Sequence, residues 1–339
     1  MKIISNRRWI FLLVLAIIIQ ISAILPDYKL VFEDEHFLTD GILQVLRTDL
    51  DRDNHDDFVL VGKNDIAREF FLYWLKMNPD PKPVVQWQSD NLYEDHSTIW
   101  AVSGKFGSQE EQLLAISNSQ YYLYQIENNH VNLVRRADFT LKPLAVTSGD
   151  LDGDGKDELI IAKIGKITST IYNCTVQVWK FQGEEFVELT ESDLIGNIRG
   201  MAVGTLDKTG PMELFIEEGP KFAPGNIHVL RYSDQKLVEV YNLKKATKGP
   251  AYGMQVENFF GEMRLVIATA PGFINFYGWE NNALLPLTGE INLRKDLMSL
   301  AVADVNQDNN PVLVVAAYPQ DIMILSKSAP LPMSPAGSK

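Results

Sequence analysis

An acidic, glycine-containing loop that runs directly into an apolar segment is the feature that most limits how this chain can fold. The loop starts at Gly149, reads Gly-Asp-Leu-Asp-Gly-Asp-Gly-Lys-Asp-Glu, and leads into Leu-Ile-Ile-Ala at residues 159–162. Carboxylates at alternate positions of a tight turn suit Ca²⁺, which takes oxygen ligands at about 2.3–2.6 Å. Gly153 and Gly155 permit such a turn because glycine accepts a positive φ without a steric clash. We therefore expect a cation-binding loop, against the alternative of a solvated acidic turn.

The residues after the loop exclude an EF-hand. An EF-hand needs a bidentate Glu at the twelfth loop position and a helix on each side. Counted from Asp150, the twelfth residue is Ile161, within a β-branched run that is typical of a strand. The loop is therefore predicted to join two strands.

A near-copy of this loop starts at Asp49 and leads into a second apolar run at residues 58–61. Four carboxylates occupy equivalent positions in the two loops, and Asn54 stands in place of Gly155. Asn is among the residues that most readily adopt the left-handed backbone conformation after glycine, so the turn is preserved.

Weaker copies of the same unit recur along the chain. The copy that starts at Asp304 has Val312 in place of the last carboxylate, so we expect it to bind a cation weakly or not at all. The apolar residue after the first loop position marks every copy: Leu50, Phe106, Leu151, Leu206, Phe259 and Val305. Successive markers are 56, 45, 55, 53 and 46 residues apart. This period, with strand-type residues in each unit, predicts propeller blades rather than helical repeats.

Each repeat divides into about four predicted strands. Those of the second repeat are residues 98–102, 112–116, 121–125 and 131–135, and those of the third are residues 144–148, 158–162, 174–181 and 185–189. The sixth repeat stops after its third strand, at residues 323–326, and residues 28–32 are predicted to supply its outer strand, which leaves no open edge. We predict an all-β propeller of six four-stranded blades, or of seven if one long repeat contains an additional sheet.

The run Asp-Leu-Asp-Gly-Asp-Gly-Lys-Asp-Glu-Leu-Ile-Ile resembles the FG-GAP or VCBS repeat of integrin-α-like propellers. The resemblance extends over residues 27–327 and is specific at residues 49–61 and 150–162. It implies that each acidic loop binds calcium between two strands of a blade. The implied ligands are Asp150, Asp152, Asp154, the Lys156 carbonyl and Glu158 in the third repeat, and Asp49, Asp51, Asp53, the His55 carbonyl and Asp57 in the first. The Phe-Gly and Gly-Ala-Pro signatures of the family are reduced here to echoes such as Ala270-Pro271, so no particular partner is implied.

The N-terminus is typical of an export signal. Lys2, Arg7 and Arg8 precede an uninterrupted apolar run at residues 9–19. Either the segment is cleaved after Ala23, or residues 9–25 remain as a membrane anchor of just sufficient length. Both alternatives place the propeller, residues 26–327, outside the cytoplasm, and residues 328–339 form a Pro-rich tail.

Charge and residue usage limit the function further. The net charge of −13 disfavours nucleic acid as a partner, because phosphate binding needs a basic surface. Cys174 is the only cysteine, so no intrachain disulfide forms. The five histidines lack metal-ligand spacing, and we find neither a Gly-rich phosphate loop nor a nucleophile elbow; the histidines are His36, His55, His96, His130 and His228.

These observations predict an exported, calcium-stabilised propeller that acts as a non-enzymatic binding or adhesion module for a protein or a glycan. The alternative is a lyase or hydrolase with its active site at the central channel. Clusters of neighbouring aromatic residues, such as residues 70–74 and 121–124, are predicted to pack between blades rather than to form a platform for sugars.

Overall fold

The computed structural model describes residues 28–35, 37, 41–64, 66–77, 82–94, 98–127, 130–168, 171–193, 195–206, 210–220, 223–259, 261–280, 283–287, 289–305 and 310–327. These residues form six antiparallel sheets that are arranged in a ring, and they contain no helix. The protein is a six-bladed β-propeller. The predicted all-β class is confirmed, with six blades rather than seven. The predicted leader or anchor at residues 1–25 and the tail at residues 328–339 lie outside the described residues, within which no helix is long and apolar enough to cross a membrane.

Blades 1 to 4 each consist of four consecutive strands, numbered here along the chain. Blade 1 contains β2 (Gly41–Thr48), β3 (Asp57–Asn64), β4 (Glu69–Lys76) and β5 (Val84–Gln88). Blade 2 contains β6 (Trp100–Gly104), β7 (Gln112–Ile116), β8 (Gln120–Glu127) and β9 (His130–Asp138). Blade 3 contains β10 (Ala145–Gly149), β11 (Glu158–Thr168), β12 (Ile171–Gln182) and β13 (Glu185–Glu191). The strands predicted for blades 2 and 3 are all present, with their ends shifted by a few residues.

Blade 4 keeps this pattern, and blades 5 and 6 vary it slightly. Blade 4 contains β14 (Ile198–Gly204), β15 (Glu213–Glu218), β16 (Asn226–Ser233) and β17 (Lys236–Leu243). Blade 5 contains β18 (Ala251–Phe259), β19 (Glu262–Thr269), β20 (Phe273–Glu280) and β21 (Ala283–Pro286), with a short fifth strand, β22 (Ile291–Asn292), beside β20. Blade 6 contains β23 (Leu297–Ala303), β24 (Val312–Ala317) and β25 (Asp321–Lys327), and its outer strand is β1 (Tyr28–Asp34).

The N-terminal strand closes the ring. β1 pairs antiparallel with β25, with Tyr28 opposite Lys327 and Phe32 opposite Ile324. The prediction that residues 28–32 supply the missing strand of the last blade is confirmed. Because the first strand in sequence belongs to the last blade in space, the two ends of the propeller hold each other in one sheet.

Six hydrophobic clusters lie between the blades, and each draws its residues from two neighbouring blades. The repeated apolar residue of each loop inserts into the cluster that its blade shares with the next one, as Leu50 does between blades 1 and 2 and Leu151 between blades 3 and 4. The clustered aromatics pack there too, since Tyr121 and Tyr277 are among the largest fully buried side chains. The marker that defines the repeat in sequence is therefore an inter-blade contact.

Candidate metal centres

Both complete acidic loops connect the first and second strands of a blade, at the same end of the ring. The loop of blade 3 follows β10, and Gly153 and Gly155 adopt φ values of 78° and 85°. The loop of blade 1 follows β2, and Arg52 and Asn54 both adopt a φ of 62°. The predicted left-handed positions are confirmed, including the one occupied by Asn54. Arg52 is the unexpected residue, and its guanidinium bonds both carboxylate oxygens of Glu110 in blade 2.

Asp150 holds the turn of blade 3 together. Its Oδ1 accepts hydrogen bonds from the amides of Gly153 (2.8 Å) and Asp154 (3.0 Å), and its Oδ2 accepts one from Gly155 (2.9 Å). The amide of Asp154 also lies 3.2 Å from Asp152 Oδ1, and that of Lys156 donates to Asp154 Oδ1 at 3.0 Å. Backbone amides thus bind both oxygens of Asp150 and Oδ1 of Asp152 and Asp154. Oδ2 of Asp152 and of Asp154 is left for other partners.

Glu158 closes this loop from the first position of β11. Its side chain is fully buried, and Oε2 accepts hydrogen bonds from the amides of Leu151 (2.8 Å) and Asp152 (3.3 Å). Its Oε1 is buried without a hydrogen-bond partner, and oxygens of Asp150, Asp152 and Glu158 lie within 4.8 Å of one another. A buried carboxylate oxygen within a set of carboxylates suits a positively charged partner, and the oxygen-only ligand set fits a hard cation such as Ca²⁺.

A lysine from the third strand of the blade reaches the same oxygens. Lys180 Nζ lies 2.5 Å from Asp152 Oδ2, 2.8 Å from Asp154 Oδ2 and 2.9 Å from Glu158 Oε1, the last without hydrogen-bond geometry. Although burial opposes the charge, bonds to these carboxylates hold the pKa of Lys180 above its ordinary value. Lys180 lowers the pKa of Asp154 through their hydrogen bond, whereas burial raises that of Glu158.

The loop of blade 1 repeats this arrangement. Oxygens of Asp49, Asp51 and Asp53 lie within 4.8 Å of one another, and Oδ1 of both Asp49 and Asp51 is buried without a hydrogen-bond partner. Lys76 Nζ contacts Asp51 Oδ2 and lies 2.7 Å from Asp53 Oδ2. The backbone amide of His55 donates to Asp53 Oδ1 at 2.9 Å. The carbonyls of His55 and Lys156 remain predicted ligands.

Asp57 occupies in blade 1 the position that Glu158 occupies in blade 3, but its hydrogen bonding differs. It is only 2% exposed, and its Oδ2 accepts a hydrogen bond of 2.8 Å from Trp74 Nε1. Burial raises the pKa of Asp57 to about 7, against the opposing influence of Trp74 and Lys76. One oxygen of this predicted ligand is therefore already bound within the blade.

Sequence reasoning missed three lysines that contact acidic clusters: Lys180, Lys76 and Lys295. Lys76 ends β4 and Lys180 lies two residues before the end of β12, and the strand register places each opposite the last carboxylate of its loop. A third acidic cluster, Glu33, Glu35 and Asp321, also surrounds a lysine, and Lys295 Nζ lies 2.7 Å from Asp321 Oδ2. This cluster combines residues far apart in sequence, so no local sequence pattern could predict it. The degenerate loop at Asp304 is described only in part, since residues 306–309 lie outside the described ranges.

The central channel encloses a cavity of about 430 Å³ between the first strands of the blades. At the end nearest the acidic loops, Arg47 of β2 forms an ion pair of 2.5 Å with Glu257 of β18. Other polar side chains in the channel tie neighbouring inner strands together. Gln44 bonds the main chain of Ala101 (2.8 and 2.9 Å), and Gln255 bonds that of Val302 (2.8 and 3.1 Å). These contacts give the channel lining a structural role.

No protein-family model matches the chain, and no curated protein matches it either. Membership of the FG-GAP or VCBS group therefore remains a prediction that rests on the acidic-loop motif.

Proposed function

We propose that the chain is an exported propeller of the FG-GAP or VCBS type, stabilised by calcium, that serves as a non-enzymatic binding or adhesion module for a protein or a glycan at the cell surface. The observation that carries this proposal is that oxygens of Asp150, Asp152 and the fully buried Glu158 lie within 4.8 Å of one another. The closed six-bladed ring supplies a rigid scaffold whose loops are available for contacts.

Calcium would be held by Asp150, Asp152, Asp154 and Glu158 in blade 3, and by the equivalent carboxylates Asp49, Asp51, Asp53 and Asp57 in blade 1. When bound, it supplies positive charge and oxygen coordination that offset the repulsion among neighbouring carboxylates. The loop residues fix the turn through their own hydrogen bonds, so the ion would secure a conformation that the chain already favours.

The binding role is favoured over the enzyme alternative by the channel. Of the described residues that line it, the one carboxylate is that of Glu257, and it is bound to Arg47. Acid–base catalysis there would require this ion pair to separate.

Thermal unfolding of the full chain tests the calcium role. The midpoint should rise when millimolar calcium replaces a chelator, and rise much less with magnesium, which demands a smaller octahedral site. A calcium concentration about one hundred times Kd would add about 2.7 kcal/mol. Asp152→Ala should reduce the shift, whereas Asp193→Asn, an exposed change outside the loops, should leave it intact. Identical midpoints in chelator and in calcium would contradict the proposal.

The binding role needs a separate experiment. The folded full chain is applied to a glycan array and to labelled surface proteins from intact cells, with and without calcium. Calcium-dependent retention of a defined glycan or protein would support the module, and turnover of a bound saccharide would favour the enzyme alternative. Failure to retain any glycan or surface protein would contradict adhesion.

A further inference from the structure

The lysines at the acidic loops occupy matched positions in their blades. Trp179 pairs with Leu159, which places the next residue, Lys180, opposite Glu158. In blade 1, Leu75 pairs with Phe58, which places Lys76 opposite Asp57. Both lysines therefore reach the loop from near the end of the third strand, where each lies opposite the residue that closes the loop.

The residue on the third strand is basic only where the residue that closes the loop is acidic. In blade 4, Glu213 pairs with Arg231, and their side chains form an ion pair of 2.5 Å. In blade 2, both positions are neutral, and Gln112 donates to Gln125 at 3.4 Å. Blades 5 and 6 have no acid at the first position, and the residue opposite is not basic; the pairs are Arg264 with Gly278 and Val312 with Ser326. The position on the third strand thus holds a basic residue in the three blades that have an acid at the loop-closing position, and in none of the other three.

The lysine also takes the oxygens that the backbone leaves over. Both oxygens of Asp150, Oδ1 of Asp152 and Oδ1 of Asp154 accept hydrogen bonds from loop amides. Oδ2 of Asp152 and of Asp154, together with Oε1 of Glu158, lie within 2.9 Å of Lys180 Nζ. These three oxygens belong to residues that calcium would need as ligands. An ammonium and a calcium ion cannot occupy this position together, because the two cations repel.

We infer that Lys180 and Lys76 are built-in cations that compete with Ca²⁺ for the carboxylates of their loops. The inference rests on the proposed calcium role and adds a regulation of it: each loop exchanges between a lysine-neutralised state and a calcium-bound state. The lysine stem is long and flexible, so the ammonium can withdraw to solvent when a divalent ion enters. The side chain of Lys180 is 12% exposed, which leaves a path outward. The free calcium concentration then determines which cation the loop holds.

Calcium titration by calorimetry tests the competition directly. Full-length Lys180→Met, Lys76→Met and the double variant are compared with the original chain and with Lys163→Met. Lys163 lies on β11 and forms an ion pair with Glu191 at 3.4 Å, so its replacement removes the same charge from blade 3 without altering the loop. Loss of the charge-assisted contacts should tighten calcium binding about tenfold or more in the loop variants. Lys163→Met should change affinity much less.

Metal-free unfolding provides the second readout. In chelator, Lys180→Met should unfold at a lower temperature than Lys163→Met, because three carboxylates lose their counter-ion. Adding Glu158→Gln to Lys180→Met should recover part of the loss, since it removes one of the uncompensated charges.

The outcomes separate the two proposals. Calcium that binds the original chain and Lys180→Met with equal affinity overturns the competition and leaves the calcium role intact. Calcium that binds none of the chains, including the double variant, overturns the calcium role and the competition together. Binding to the lysine variants alone would show that the lysines exclude calcium from the original chain, which overturns both the exchange and the calcium role. A metal-free Lys180→Met as stable as Lys163→Met overturns the counter-ion role.

Discussion

Tyr28 lies opposite Lys327 in the sixth blade, so the first and last strands of the propeller share one hydrogen-bonded ladder. The phenol of Tyr28 donates to the carbonyl of Pro311 at 3.0 Å, and its ring stacks on Phe276 of blade 5 with centroids 6.3 Å apart. The N-terminal strand therefore binds both its own blade and a neighbour. Closure of the ring depends on side chains as well as on the strand ladder.

Tyr28→Phe should lower the free energy of unfolding by about 1 kcal/mol, because it removes one partly buried hydrogen bond and keeps the stacked ring. Tyr28→Ala should cost more, about 2–4 kcal/mol, since it also removes the ring contact. Urea unfolding followed by tryptophan fluorescence measures both. Equal stability of the two variants would show that the ring contact with Phe276 contributes nothing to closure.

The fold was largely predictable because one apolar position recurs in every repeat. Leu50, Leu151 and their equivalents recur at a period of about fifty residues because each packs between two blades. The strand ends were less predictable. β11 continues to Thr168 rather than stopping near residue 162, because its hairpin with β12 extends beyond the apolar core.

Gly149 is required by a close approach between inner strands. A Cβ at this position would lie 2.4 Å from Val203 Cγ1 of blade 4, and the equivalent Gly204 would meet Val256 of blade 5 at the same distance. Gly149→Ala should therefore cost about 1–3 kcal/mol through overpacking. Gly153→Ala is the matched comparison, because nothing lies within 4 Å of a Cβ placed at this position. Only the positive φ opposes the substitution, which should cost roughly 1–2 kcal/mol of stability.

Calcium separates the two glycine variants further. Gly153→Ala alters the loop backbone and should weaken any stabilisation by calcium, whereas Gly149→Ala alters strand packing and should lower stability equally with and without the ion. Unfolding midpoints in chelator and in calcium measure the difference. A loss of the same size for both variants under both conditions would show that the left-handed turn is unrelated to cation binding.

Trp74→Phe should destabilise blade 1 by more than its small change in volume implies. The indole Nε1 donates to Asp57 Oδ2 at 2.8 Å, and Asp57 is buried. Removing the donor leaves a buried carboxylate oxygen without its partner, which costs about 1–3 kcal/mol. Trp87→Phe, in the outer strand of the same blade, is the control because Trp87 packs edge-on against Tyr124. Equal losses in the two variants would show that the indole contributes through packing alone.

The carboxylates of the candidate site could be predicted from the sequence, but the lysine that neutralises them could not. Alternate aspartates and left-handed positions are visible in the sequence of a single loop. Lys180 lies 22 residues beyond Glu158 in sequence, and the two meet only through the register of β11 with β12. Local patterns cannot reveal such a partner, whereas strand pairing within each repeat can.

Glu217 should make stability depend on pH. This fully buried side chain accepts a hydrogen bond of 3.1 Å from Thr247 Oγ1, and its Oε2 has no partner. Burial raises the pKa of Glu217 to about 8. The pKa of this residue in the unfolded chain is about 4.3. At a pH between these two values, Glu217 is ionised in the unfolded chain and protonated in the folded chain. Stability therefore falls as pH rises through this window, by a few kcal/mol in total.

Glu217→Gln removes this titration while it preserves shape, because glutamine resembles the protonated acid. The stability of the variant relative to the original chain should increase steadily from pH 5 to pH 8, as measured by urea unfolding. His228 contributes a slope of the same sign, since Glu218 and Glu239, against the effect of burial, hold its pKa above the ordinary value. That slope cancels in the difference between the two chains. Parallel stability curves would mean that Glu217 is already ionised in the folded protein at pH 5.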